Sequence, residues 1–302
     1  MVSPSHARRV AYFTAGTVGA GHVVRGEAVR RGLRRAGFDG AFRAFVPPSP
    51  FALGPADERE EVIVKGDPRL ADPAHAARSA LGQRLQGFAP DLLVVDMFWA
   101  PVRHLLAHLR CPAWLLVRAC PPVWLQGQGE VRFDAGAWDR IIEIEPLGLP
   151  AATHALDPLV VVDPDELEPA SALRERVGAP ADRPLTVISH AGKPGELQTL
   201  RRVAARGTDA SASPLPFTVE LDLHRDGLFP AARWLAGADR IVAGAGYNTF
   251  WEAQWLGWVD RSTFVPFERG IDRQRLRMEI LGATRPRENG ANTLASWIMG
   301  ER

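Results

Sequence analysis

Short apolar runs alternate along the chain with segments of helical periodicity. The runs cover residues 10–13, 92–95, 114–117 and 141–144, and then residues 185–188, 217–221, 241–242 and 264–265. Most are continuously apolar rather than alternating, which is typical of strands covered by helices on both faces. The pattern therefore predicts an α/β fold with two parallel sheets joined by crossover helices, one sheet in each half of the chain.

A proline-rich stretch separates the two halves. Prolines recur between residues 146 and 169, where the pattern of strands and helices lapses. The 302 residues also correspond to about two domains of ordinary size. We therefore expect two Rossmann-like domains, at residues 1–155 and 156–302.

The composition is that of an ordinary globular protein, with 46% hydrophobic and 24% charged residues and a net charge of +1. Without a basic surplus, a nucleic-acid partner is not expected. Cys111 and Cys120 are the only cysteines and form neither a disulfide framework nor a metal motif, which favours a reducing cytoplasm. No apolar stretch approaches the length of a membrane span, so we expect no integral membrane segment.

A glycine-rich segment follows the first strand. The spacing Gly16-x-x-Gly19-x-Gly21 leads into a helical pattern that ends at Gly37. Such a turn brings backbone N–H groups and the positive end of a helix close to an anion or a sugar, so Gly19 and Gly21 are predicted ligand contacts. The spacing is not the dinucleotide G-x-G-x-x-G, and no P-loop lysine follows, which disfavours those two classes. The alternative is a tight turn without a ligand.

His22 and Asp96 are the candidate catalytic residues. His22 stands where the glycine loop enters the helix, and we expect it to be exposed at the carboxyl edge of the sheet as a general base. Asp96 ends an apolar strand at the same edge and is expected to orient His22 or to hold an acceptor hydroxyl. The alternatives are a packed histidine, and an aspartate that serves as a turn residue or caps a helix near Pro101.

A second glycine turn follows the strand at residues 241–242. The turn and helix start are formed by Gly244, Gly246, Tyr247, Asn248 and Thr249, and Glu252 comes one turn later. A carboxylate there suits the two hydroxyls of a ribose whose diphosphate lies at the helix N-terminus. The alternative is a capping box with Thr249.

These residues resemble a known family. The run from Gly244 to Glu252, followed by Val265-Pro266-Phe267 and Asp272-Arg273-Gln274, is similar to the C-terminal half of GT-B glycosyltransferases. The nearest resemblance is to family 28, which includes the enzyme that adds N-acetylglucosamine to the lipid-linked peptidoglycan precursor.

The resemblance implies two Rossmann-like domains with parallel sheets that face across a cleft. It also implies a donor site in the second domain, with the glycine turn and helix start near the diphosphate and Glu252 on the ribose. Asp272 and Gln274 would then contact the hydroxyls of the sugar. Gly192 lies where the family has a pair of small residues in its first loop, and it is a further predicted donor contact.

The N-terminal run Gly19-Ala20-Gly21-His22-Val23-Val24-Arg25 resembles the same family. It is at least as similar to the nucleotide-sugar hydrolase of pseudaminic acid biosynthesis. The predicted function is transfer of a sugar from a nucleotide diphosphate sugar, UDP-linked, to an unidentified acceptor. The acceptor is a small molecule or a lipid-linked one, and a lipid-linked acceptor would accompany a peripheral association with the membrane. A nucleotide-sugar hydrolase or epimerase, and a non-catalytic binder, remain alternatives.

One motif bears on metal use. Asp163-Pro164-Asp165 has the form of the D-x-D used by metal-dependent transferases, but it falls in the proline-rich linker, so it is predicted to be a turn. We expect no metal and no cofactor, because helix N-termini can supply the positive field that a metal ion would provide.

Overall fold

The computed structural model describes residues 7–16, 21–48, 54–128, 131–190, 192–206, 214–221, 228–281 and 285–300. Backbone contacts divide the chain into two compact units. Among the described residues, the first unit contains the initial strand, His22–Leu159 and the segment from Glu288 onward, and the second contains Gly21 and Val160–Arg287. The C-terminal segment thus groups with the first unit. The boundary between residues 155 and 156 stays a prediction.

The regular elements follow the predicted alternation. The described strands are β1 (Arg9–Phe13), β2 (Ala41–Val46), β3 (Arg59–Glu61), β4 (Leu92–Asp96), β5 (Ala113–Val117), β6 (Gly127–Gln128), β7 (Val131–Arg132), β8 (Arg140–Glu143), β9 (His154–Ala155), β10 (Leu185–Ser189), β11 (Phe217–Leu221), β12 (Arg240–Gly244) and β13 (Ser262–Val265). The described α-helices are α1 (Gly21–Arg35), α2 (Ala80–Phe88), α3 (Ala170–Val177), α4 (Pro194–Arg206), α5 (Tyr247–Trp255), α6 (Gln274–Leu281) and α7 (Gly290–Ile298).

The first unit is built on a parallel sheet with the strand order β3-β2-β1-β4-β5-β8-β9. Every residue of β4 and β5 is buried, as the unbroken apolar runs at residues 92–95 and 114–117 predict, and the burial of β4 includes its last residue, Asp96. The strand β2 was not among the predicted apolar runs, because the charged Arg43 interrupts its sequence. The predicted crossover helix after β1 is α1, and Gly37 follows it with a positive φ of 80°, as expected for a helix stop.

The second unit has its own parallel sheet, with the order β11-β10-β12-β13. Its four strands coincide with the four apolar runs predicted for this half. Ile188 and Val242 from the two central strands pack with Leu200 and Ala204 of α4 in a buried cluster. Because β10 and β12 pair in parallel, their carboxyl ends lie next to each other at one edge of this sheet.

The helix α7 returns to the first unit at the end of the chain. The guanidinium carbon of Arg140 lies 4.5 Å from the ring centre of Trp114 and 5.3 Å from that of Trp297 on α7. Arg35 of α1 donates from Nε to Asn292 Oδ1 at 2.8 Å. These contacts attach the last helix to the β5–β8 part of the sheet and to α1.

Three aspartates hold the amino ends of neighbouring strands together. Each directly precedes a strand and accepts hydrogen bonds from backbone N–H groups at the start of the strand beside it. The pairs are Asp91 with Arg8 and Arg9 at 2.9 Å each, Asp139 with Ala113 at 2.8 Å, and Asp239 with Leu185 at 2.6 Å. The same device occurs in both sheets and fixes the register at the edge opposite the glycine turns.

We predict that Asp139→Ala lowers the free energy of unfolding by about 1–3 kcal/mol, because the partly buried N–H of Ala113 loses its acceptor. Asp139→Asn keeps an acceptor oxygen and should recover part of the loss. Urea unfolding measures both values. Asp182→Ala, at an exposed aspartate, is the control, and an equal effect of the two alanine variants would contradict the assigned role.

Candidate functional site

The buried carboxylate of Asp96 is the centre of a cluster in the first unit. Asp96 has no exposed surface, and its two oxygens lie 2.8–3.2 Å from Nε and Nη2 of Arg25. The Nδ1 atom of His22 lies 2.8 Å from Asp96 Oδ2, and the Tyr12 hydroxyl lies 2.9 Å from the same oxygen. The buried negative charge is therefore surrounded by hydrogen-bond donors.

Three neighbouring elements bring these side chains together. Asp96 is the last residue of β4, and β4 pairs with β1, which carries Tyr12. His22 and Arg25 are three residues apart in α1, a spacing that places both on one face of a helix. The Tyr12 hydroxyl also lies 2.8 Å from the carbonyl oxygen of His22, which fixes the start of α1 against β1.

The charges of the cluster favour a neutral imidazole beside an ionised carboxylate. Burial and the charge of Arg25 lower the pKa of His22 to about 4, so the ring is neutral near neutral pH. Burial alone would disfavour ionisation of Asp96, but Arg25 and His22 together hold its pKa well below the usual range. Arg25 Nη2 lies 2.5 Å from the same Nδ1 atom of His22. In the tautomer with the proton on Nδ1, the ionised Asp96 accepts that proton. The Nε2 lone pair then has no hydrogen-bond partner among the described residues, which is the arrangement of a general base.

His22 is buried rather than exposed, contrary to the expectation from sequence. Only 6% of its surface is accessible, and the ring of Phe98 packs edge-on with ring centres 4.9 Å apart. A Cβ atom at Gly16 would lie 2.4 Å from His22 Cδ2. The first glycine of the loop therefore makes room for the imidazole. Gly19 lies outside the described residues, and Gly21 is the first residue of α1.

Within the described range 54–128, no α-helix near Pro101 exists for Asp96 to cap, whereas the role of a turn residue agrees with the 2.7 Å hydrogen bond from the N–H of Phe98 to the carbonyl oxygen of Asp96. The segment that begins at Pro101 forms turns and a short 3-10 helix, so no α-helix starts there. The carboxylate instead contacts His22 and Arg25. The contact between His22 and Asp96 was expected, and the catalytic role of the pair stays a prediction.

In the second unit, Glu252 is a half-buried acid on α5. Burial raises its pKa to about 8, and no described residue contributes a hydrogen bond or an ion pair to its carboxyl group. The capping box with Thr249 is not formed, because α5 begins at Tyr247 and its N-cap is Gly246. Glu252 therefore lies beyond the first turn, where it has no free backbone N–H of the helix to accept.

The other predicted donor residues lie at the carboxyl edge of the same sheet. Gly244 ends β12 and Tyr247 is buried in the first turn of α5, while Asn248 and Thr249 are partly buried. Gly192 lies in the exposed loop between β10 and α4.

Asp272 and Gln274 are engaged with each other and with the backbone. Gln274 donates from Nε2 to Asp272 Oδ2 at 3.0 Å, and its Oε1 accepts from the N–H of Phe267 at 2.9 Å. Arg277 donates from Nη2 to Asp272 Oδ1 at 2.8 Å and from Nη1 to the carbonyl of Ala245 at 2.9 Å. Arg277 thus links Asp272 to the turn before α5, and Gln274 links Asp272 to the segment after β13. The contact of Asp272 and Gln274 with a sugar stays a prediction.

Two buried arginines were missed as parts of these clusters. Arg25 and Arg277 have at most 1% of their surface exposed, and each pairs with a predicted site aspartate. Each also follows a predicted site residue at the i,i+3 helical spacing, Arg25 after His22 and Arg277 after Gln274. An arginine three positions after a predicted site residue, together with a predicted site aspartate, was the sequence signal by which these two arginines could have been found.

The D-x-D motif forms a turn, as predicted. Residues Pro164–Glu166 make a 3-10 helix, and the N–H of Asp163 donates to Glu166 Oε2 at 2.8 Å. Within the described ranges, no group of three acidic, histidine or cysteine side chains has the arrangement of a metal site. No described helix is both long and apolar enough to cross a membrane.

Solved structures share the architecture of the chain. No protein-family model matches it, and no curated protein does. The spinosyn forosaminyltransferase SpnP is 16% identical, with 98% of this chain and 91% of that chain covered and a TM-score of 0.57. MurG of Acinetobacter baumannii is 16% identical over 97% of this chain and 91% of its own, with a TM-score of 0.49. The similarity to SpnP shows the fold of the chain and nothing beyond the fold. That fold is GT-B, which confirms the expected fold class.

We predict that His22 makes the stability of the protein depend on pH. Its folded pKa is about 4 against 6.5 for the free side chain, so its stabilising contribution is complete above pH 6.5 and is lost as the pH falls toward 4. The loss is on the order of 3 kcal/mol, at about 1.4 kcal/mol per pKa unit. Urea unfolding across this range should give His22→Asn a flatter profile than the wild type. The exposed His108→Asn control should keep the wild-type slope, and parallel profiles for all three proteins would contradict the assignment.

Proposed function

We propose that the chain is a glycosyltransferase that moves a sugar from a nucleoside diphosphate sugar, UDP-linked, to an acceptor hydroxyl. The observation that carries the proposal is the neutral His22 held at Nδ1 by the ionised Asp96, with Nε2 left to accept a proton. The GT-B fold supports it, as does the half-buried Glu252 without a described partner.

The chemistry follows from these groups. His22 Nε2 takes the proton of the acceptor hydroxyl while the hydroxyl oxygen attacks the anomeric carbon of the donor sugar. The bond between that carbon and the diphosphate oxygen breaks, and its electron pair stays on the diphosphate. Asp96 stabilises the imidazolium that forms, and Arg25 keeps Asp96 ionised throughout.

The second unit supplies the donor site. Ribose hydroxyls donate to Glu252, whose carboxyl group otherwise has no described donor, and the diphosphate lies at the turn between β12 and α5. The positive end of α5 favours the charge that develops on the leaving diphosphate, so the proposed reaction needs no metal ion.

Product analysis tests the proposal against hydrolysis of the nucleotide sugar. UDP-sugars are incubated in EDTA, with and without candidate hydroxyl-bearing acceptors of small-molecule and lipid-linked type. A transferase releases UDP in step with formation of a glycosylated acceptor. Release of UDP and free sugar at the same rate with and without acceptor would instead identify a hydrolase, and an absolute need for a divalent cation would contradict the metal-free reaction.

We predict that UDP stabilises the folded protein by about 2.7 kcal/mol at a hundredfold excess over its dissociation constant. Above pH 8, where the carboxyl group of Glu252 is ionised, Glu252→Ala should weaken UDP binding by about 1.5–3 kcal/mol, the range for hydrogen bonds to a charged group. Because the 2′-hydroxyl is one of the proposed donors, 2′-deoxy-UDP should lose less. Calorimetric titration measures each affinity, with exposed Glu279→Ala as the control. Equal losses for both nucleotides would rule out the contact with the 2′-hydroxyl.

We predict that His22→Ala reduces turnover by about 10²- to 10⁴-fold, the usual contribution of a general base. UDP affinity should change little, because the proposed donor contacts come from the second unit. Steady-state kinetics and UDP titration measure the two effects, and His154→Ala is the control at a histidine that packs on Trp297. Turnover near the wild-type value would make His22 a structural residue of the loop.

A further inference from the structure

The second unit contains a histidine cluster that the proposed chemistry does not yet use. His190 directly follows β10, and its Nε2 lies 2.9 Å from Glu196 Oε2. Arg269 donates from Nη2 to Glu196 Oε2 at 2.6 Å and from Nη1 to Glu196 Oε1. The side chains of His190 and Glu196 are 10% and 11% exposed, so this is an almost buried triad.

Two glycines make space for this triad. A Cβ atom at Gly192 would lie 2.4 Å from His190 Nε2 and 2.3 Å from Glu196 Oε2, so the pair forms only because residue 192 has no side chain. A Cβ atom at Gly244 would lie 3.2 Å from His190 Nδ1 and 3.3 Å from Cε1, closer than most such contacts. Both glycines had been predicted as donor contacts, and both border the same imidazole.

The free nitrogen of His190 faces the glycine turn. Burial alone would raise the pKa of Glu196, but Arg269 and the hydrogen bonds from the Lys193 N–H and His190 together lower it. Glu196 is therefore ionised and accepts the Nε2 proton of His190. His190 Nδ1 then lies beside Gly244, the residue from which the turn leads to the N-terminus of α5. No described residue gives Nδ1 a hydrogen-bond partner.

The groups around His190 determine its charge before a ligand binds. Burial and Arg269 lower the pKa of His190, against the opposing effect of Glu196, so the ring is neutral near neutral pH. On its other side, the ring of His190 faces Phe267, and the two ring centres are 5.5 Å apart. The Phe267 side chain carries no charge, and Gly244 has no side chain. A neutral Nδ1 is only an acceptor. The oxygens of an ionised diphosphate are also only acceptors, so contact between them requires a second proton on the ring.

We propose that His190 is a direct ligand of the donor diphosphate and takes up a proton when the diphosphate binds. The inference rests on the proposed function, because it places the nucleoside diphosphate at the β12–α5 turn. The negative charge of the ligand favours the imidazolium form, and Glu196 with Arg269 keeps Nδ1 directed at the turn. During transfer, Nδ1–H donates to the diphosphate oxygen that receives the electron pair of the breaking sugar–oxygen bond, and the proton stays on the ring.

Calorimetry with UDP and uridine tests the contact. We expect His190→Gln to weaken UDP binding by about 10- to 100-fold, as for the loss of a hydrogen bond to a charged group, while uridine affinity is unchanged. Titration near pH 7 in PIPES and in Tris, which differ in ionisation heat, should show more proton uptake by the wild type than by His190→Gln. His154→Gln, at a histidine of the first unit, should behave as the wild type.

The outcomes separate this inference from the proposed function. If His190→Gln binds UDP as tightly as the wild type does, or shows the same proton uptake, His190 is not a diphosphate ligand while the donor site stands. If the variant loses UDP and uridine equally, His190 only supports the fold of the loop, which also overturns the inference. If the wild type binds neither compound, both the donor site and the role of His190 are wrong.

Discussion

The buried charge of Asp96 is the constraint on which the arrangement of the cluster in the first unit depends. An ionised carboxylate without solvent contact costs several kcal/mol unless donors replace its water, and Arg25, His22 and Tyr12 provide them. These partners belong to α1 and β1, while Asp96 ends β4. The contacts that stabilise the charge therefore also fix the position and the proton of the imidazole, so that stability and the proposed chemistry depend on the same few atoms.

Both units use glycine to accommodate a histidine at the carboxyl edge of a sheet. Gly16 leaves space for the ring of His22, whereas Gly192 and Gly244 border the ring of His190. In each unit the histidine contacts a carboxylate that an arginine also contacts. Glycines in such turns are usually interpreted as a backbone cradle for phosphate. Here the glycines also leave the space that a histidine ring needs at the carboxyl edge of the sheet.

The fold was largely predictable because apolar continuity is a local signal. The eight predicted strands all exist, since a strand covered on both faces needs an unbroken apolar run, and β2 was missed where Arg43 interrupts it. The pairing of His22 with Asp96 was predictable because parallel strands end at one edge. The burial of His22 was not, because it depends on Phe98, distant in sequence. The His190 cluster could not be predicted for the same reason: its residues are up to 79 positions apart in the sequence, and no local motif indicates a contact over that distance.

The return of α7 to the first unit affects how the chain is synthesised. The second unit, Val160–Arg287, is inserted between parts of the first, whose helix α7 follows the second unit along the chain and is therefore translated after it. The apolar side of α7, with Ala291, Leu294, Ala295 and Ile298 buried, has to wait for the whole of the second unit to emerge. Until then, the surface that receives this helix stays open to chaperones or to aggregation. Translation order thus means that the first unit is completed only after the second unit has been made.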